Sequence, residues 1–141
     1  MVQTEFKVAV LVCNGIGRLV STVVRQAGQL AHKQRPEETV LLAVGPTAVD
    51  EEKSLGALRK YPVVVIDGCR PRCASYLVKQ KGKEPAAVVY VGDVLAETRI
   101  SLVGEKRRGL GDKGMKLVDA VAERVVKEVD RAIADEMVST L

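Results

Sequence analysis

The stretch Pro62-Val63-Val64-Val65-Ile66-Asp67-Gly68-Cys69-Arg70-Pro71-Arg72-Cys73 decides the fold. Residues 63–66 are β-branched and apolar without interruption, which predicts a strand buried on both faces. Asp67-Gly68 ends the run, and Pro71 suits the first turn of a helix, where a missing N–H costs nothing. A strand passing at once into a helix is the repeating unit of an open α/β sheet. Two thiols, Cys69 and Cys73, lie in this junction. The same arrangement occurs earlier, where the apolar run 8–12 closes at Cys13-Asn14-Gly15. Every cysteine of the chain therefore follows the carboxyl end of a predicted strand, which is where open α/β sheets place their ligand sites.

Working outward, strand and helix alternate to both ends. Residues 6–12 predict the first strand. Ile16, Leu19, Val20, Val23, Val24 and Ala27 then recur at three- and four-residue steps, the mark of an amphipathic helix. Arg35-Pro36 ends that helix. Residues 39–44 predict the second strand, with Gly45-Pro46 as a breaker. Asp50 reads as the N-cap of a short helix through Leu55 and Leu58. The cysteine turn leads into a helix that stops at Gly82, and residues 86–91 predict the fourth strand, ending at Gly92-Asp93. Residues 98–103 offer a further, weaker strand. Residues 104–114 read as a flexible charged loop and 115–138 as a long C-terminal helix.

This alternation implies a single α/β domain over residues 1–141, three-layered and Rossmann-like. Its sheet is expected to be mainly parallel, with four or five strands and helices on both faces. In a doubly wound order such as 2-1-3-4, strands one and three are neighbours at the switch point. Cys13 and Cys69, far apart in sequence, then meet in one crevice.

Composition narrows the function. Aromatic residues make up only 3% of the chain, so the core must be aliphatic. A net charge of +4 is mildly basic, but the basic run Lys106-Arg107-Arg108 has no interleaved aromatics to stack bases, which argues against nucleic acid. The start of the chain is polar and reads as no signal peptide. No apolar run reaches the ~18 residues of a membrane span. A cytoplasmic protein is expected, with reduced thiols and a small molecule or another protein as its partner.

The thiols carry the chemistry. Cys69 and Cys73 are four residues apart across a helix start, so both can face the same way. Thiolates there are favoured by the helix dipole, and Arg70 and Arg72 add positive charge. Cys13 precedes a helix opened by Gly15 and Gly17. Three thiolates with an open fourth position suit zinc. The simpler alternative is that the cysteines fill small core positions. Asn14, Gly15, Gly17, Asp67, Gly68, Arg72 and Asp93 are expected to shape the site. Asp67 and Asp93, each beside a glycine at a strand end, are also carboxylates placed to complete a metal shell, although a turn role serves them equally well. The only histidine, His32, falls at the far end of the first helix and reads as a surface residue.

The tripeptide Asp67-Gly68-Cys69, Cys73 beyond it and Cys13-Asn14-Gly15 after the first strand resemble the DGC-domain family, proteins proposed to bind zinc. The likeness spans about residues 6–103. The resemblance implies a zinc site of four cysteines, of which three carry over, onto Cys13, Cys69 and Cys73. The fourth, expected in the second strand, is replaced by an aliphatic residue, Leu41 or Leu42. Water, substrate or a carboxylate would then complete the shell of one zinc ion.

A thiol enzyme is the alternative. Cys13-Asn14-Gly15-Ile16-Gly17-Arg18 resembles the anion-binding loop of low-molecular-weight tyrosine phosphatases and arsenate reductases, with Cys13 as nucleophile. That loop needs five residues between cysteine and arginine, then Ser or Thr. This chain has four, then Leu19. The glycines here are not a dinucleotide fingerprint, because Val20 stands where a third glycine belongs.

Overall fold

A computed structural model describes residues 6–13, 15, 17–68 and 70–141. Its strands are β1 (Val8–Val12), β2 (Thr39–Ala43), β3 (Val63–Asp67) and β4 (Ala87–Tyr90). The helices are α1 (Leu19–Gln34), α2 (Val44–Ala48), α3 (Glu52–Lys60), α4 (Cys73–Gln80), α5 (Val91–Thr98) and α6 (Asp112–Ser139). All strands pair in parallel, in the order β2-β1-β3-β4. This is the doubly wound order expected, with β1 and β3 at the centre. Both central strands are buried at every residue, while β2 and β4, at the edges, are buried only in part.

Because side chains alternate along a strand, the sheet carries a core on each face. Val8, Val10, Val12, Val64 and Ile66 pack against α1 and α6. Ala9, Leu11, Val63 and Val65 pack against Leu58 of α3 and Ala74 and Val78 of α4. The α6 stripe Leu117, Val118, Val121, Val125 and Val129 is wholly or almost wholly buried. At about 1.5–3 kcal/mol for each buried Val or Leu, that stripe holds the helix to the sheet. Arg35 also reaches Asp130 through two hydrogen bonds of 3.0 Å, but this pair is exposed and adds little.

The structure corrects several local expectations. Residues 98–103 form no strand. Thr98 ends α5, its hydroxyl donating to the Val94 carbonyl, and Arg99 closes the helix in a left-handed conformation. Gly92 and Asp93 belong to the first turn of α5 rather than to a strand-end turn. Gly45-Pro46 lies within α2, because a proline in a helix's first turn forfeits no bond. Glu51, not Asp50, flanks the start of α3, and Asp50 takes up a turn with φ 61°. α6 begins at Asp112, ahead of the expected 115. The Glu105 carboxylate accepts the Gly111 N–H at 2.6 Å, anchoring the 104–111 loop to that helix start.

One close approach sets the distance between α1 and the sheet. A Cβ at Gly28 would lie 2.4 Å from Cγ1 of Val12, itself buried. Alanine normally stabilises a helix interior by about 0.5–1 kcal/mol over glycine, but forcing a methyl into a packed core costs about 1–3 kcal/mol. The clash wins. Gly28→Ala is expected to lower stability by about 1–2 kcal/mol in denaturant unfolding, and a stabilised variant would refute the close packing of α1 on β1.

Candidate functional site

The loops that follow the central strands build the site. Val12 lies opposite Ile66 in the parallel register, so the chain leaves the sheet at Cys13 beside the end of β3. Cys13 is half-buried and packs on the core. Gly15 gives the loop its room: a Cβ there would lie 2.9 Å from the Ser21 hydroxyl and 3.7 Å from the Cys13 sulfur. The Gly15 carbonyl accepts a hydrogen bond from the Arg25 guanidinium. Gly17 has open space around it, so no clash demands glycine there. Its carbonyl accepts from Arg107 at 3.3 Å, and the Thr22 hydroxyl donates to the Arg107 carbonyl at 2.9 Å. The 104–111 loop thereby grips the start of α1.

Asp67, only 1% exposed, ends β3 and turns its carboxylate onto α4. One oxygen accepts the Ala74 N–H at 3.1 Å and the other accepts the Ser75 hydroxyl. The N-cap side chain, Arg72, makes no capping bond, so Asp67 does its work from the strand. Both carboxylate oxygens are thus engaged. Gly68 is packed against α1, where a Cβ would stand 3.0 Å from Val24 Cγ2 and 3.2 Å from the Val20 carbonyl. Arg72 itself is left-handed, with φ 51°, and its guanidinium lies over the Tyr90 ring at 4.2 Å from the centroid. Cys73 opens α4 and is exposed. Asp93 is exposed in the first turn of α5.

Cys13, Gly15, Gly17, Asp67, Gly68, Arg72, Cys73 and Asp93 all fall at the carboxyl edge of the sheet. Asn14 and Cys69 lie outside the described residues. Among the described residues, no three His, Cys, Asp or Glu side chains gather as a metal-binding group. His32 sits near the opposite end of α1, its ring Nδ1 2.6 Å from the Thr39 hydroxyl. That hydroxyl donates to the Arg35 carbonyl at 2.7 Å, so the histidine must be the donor to it. Leu41 and Leu42 stand within β2, Leu42 in one core and Leu41 against the other.

Sequence reasoning missed Ser75 as the partner of Asp67, and the Thr22–Arg107 tether. The only available signal was an aspartate placed between a strand and a helix that had no acidic cap of its own.

A doubly wound parallel sheet with thiols on the loops after its two central strands defines an α/β protein with its ligand chemistry at the carboxyl edge. The chain belongs to the DGC domain family, whose model matches residues 9–109, from β1 through the 104–111 loop. Neither a curated protein nor a solved structure matches it. Among the described residues no helix is long and apolar enough to cross a membrane.

Asp67→Ala removes both acceptors and leaves the Ala74 N–H and the Ser75 hydroxyl without their partner. A buried donor left without an acceptor costs about 1–3 kcal/mol. The variant should lose that much stability in denaturant unfolding, with faster amide exchange at Ala74. Unchanged exchange would mean that Asp67 does not hold the helix.

Proposed function

We propose that the protein binds one zinc ion through the thiolates of Cys13, Cys69 and Cys73. The observation that carries this reading is the placement of Cys13 and Cys73 at the starts of the segments that follow neighbouring strands. Membership of the DGC domain family adds to it. The donor chemistry fits: zinc favours sulfur and nitrogen ligands, and both described thiols stand at the edge of the fold rather than in its centre. The Asp67 carboxylate is committed to α4, so thiolates rather than this carboxylate are the donors. Cys73, in the first turn of α4, lies where the helix dipole favours a negative ligand.

Bound by three protein ligands, zinc keeps a fourth position for water or a substrate oxygen and supplies Lewis-acid chemistry there. Gly15 leaves room beside Cys13, and Asp67 and Gly68 fix the turn that leads to Cys69. Metal handling is favoured over catalysis, because His32 is remote and the Asp67 carboxylate is already bonded. The reading takes the chain as one α/β domain working in the reducing cytoplasm.

Elemental analysis of protein purified without an affinity tag, paired with thiol titration before and after chelator, tests the proposal. About one zinc per chain is expected, with the thiols unreactive until chelation. Cys69→Ser should abolish most of the binding and His32→Ala should leave it unchanged. Protein without metal and with one fast-reacting thiol would overturn the zinc site and turn attention to Cys13 as a nucleophile.

A further inference from the structure

Beside the cysteine loops, an open cleft of about 390 Å³ lies between the start of α1, the turn from β3 to α4, and the start of α5. Its volume is within the range of small-molecule sites. Arg18 and Arg70 line it from two different elements, with Val20, Pro71, Tyr90 and Leu95 as its apolar part. Among the described residues no carboxylate lines this cleft. Four basic side chains elsewhere are paired with acids: Arg35 with Asp130, Lys81 with Asp50, Arg124 with Glu97 and Arg131 with Glu128. Arg18 and Arg70 take part in none of these ion pairs. A third guanidinium, that of Arg72, is held on the Tyr90 ring, which itself borders the cleft. Gly92 makes that ring position possible, since a Cβ there would stand 2.5 Å from Tyr90 Cε2. The acids adjoining lining residues in the chain are both turned elsewhere: Asp67 is bonded to Ala74 and Ser75, and Asp93, exposed on α5, does not line the cleft.

We propose that this cleft binds the phosphate group of a small phosphorylated ligand. A guanidinium offers paired N–H donors that match two oxygens of an oxyanion. A carboxylate, with two oxygens and one charge, is satisfied by a single such fork. A phosphate monoester has three free oxygens and close to two negative charges, and so uses both Arg18 and Arg70. Val20, Leu95 and the Tyr90 ring supply apolar surface for the organic part of the ligand. None of the described lining residues is a thiol, and titration of metal-free protein reads this site separately from the metal reading.

Calorimetric titration of full-length, chelator-treated protein with inorganic phosphate tests this, at fixed ionic strength and above phosphate's second ionisation. Saturable binding is expected, weakened about tenfold by Arg70→Gln and by Arg18→Gln, since each removes a charge-assisted pair. Both side chains are exposed, and an unchanged melting temperature would confirm that the variants fold. Lys127→Gln, the same charge change on the exposed side of α6, should leave the affinity unaltered. Absence of saturable binding, equal loss in Lys127→Gln, or acetate binding as tightly as phosphate would each overturn the assignment.

Discussion

The parallel pairing of β1 with β3 is the constraint from which the rest of the molecule follows. Parallel neighbours cannot be joined by a tight turn, so each strand must send the chain out across a face of the sheet before it returns. From β1 the chain passes to α1, on the face shared with α6. From β3 it passes to α4, on the opposite face. The two exits diverge, and the gap between them opens where Cys13, Asp67 and the arginines of the cleft are found. The gap therefore follows from topology.

What fills the edge of that gap is decided by electrostatics and hydrogen bonding. Among the described residues, Asp67 is the one carboxylate buried at the sheet's carboxyl end, and both its oxygens are bonded to the first turn of α4 through Ala74 and Ser75. The lining of the cleft, among the described residues, is left without a carboxylate. Arg18 and Arg70 line it, Arg72 lies on the Tyr90 ring at its border, and Arg107 reaches from the 104–111 loop to the Gly17 carbonyl. With Asp67 turned inward and the guanidiniums turned outward, the cleft favours an oxyanion.

The central strands were legible in the sequence because they are buried on both faces, so residues 8–12 and 63–66 had to be apolar throughout. Their register was not, yet the doubly wound order alone sufficed to bring Cys13 close to the end of β3. Local chemistry with two meanings was harder to read. Gly45-Pro46 both breaks a strand and begins a helix, and Gly92-Asp93 closes β4 while supplying the favourable acid of α5's first turn. Thr98 and Val103 looked extended because β-branched side chains prefer strands, but Thr98 satisfies its hydroxyl on a helix carbonyl instead. Bonds such as Thr22 to Arg107 join residues distant in sequence and leave no periodic trace. The positions of Cys13 and Asp67 could thus be anticipated, whereas Ser75 and Tyr90 became visible only in three dimensions.

The tight seat of Gly28 on Val12 has a consequence at the other end of α1. A helix that touches a sheet through a missing side chain is keyed to it: it can neither rotate about its axis nor ride higher without opening a void. The angular phase of every residue along α1 is then set by a contact in the core, including Ser21 beneath Gly15. The loop bearing Cys13 is therefore oriented by the folding of the sheet. A ligand arriving there meets an α1 whose orientation is already fixed, and none of its binding energy is consumed in setting that helix.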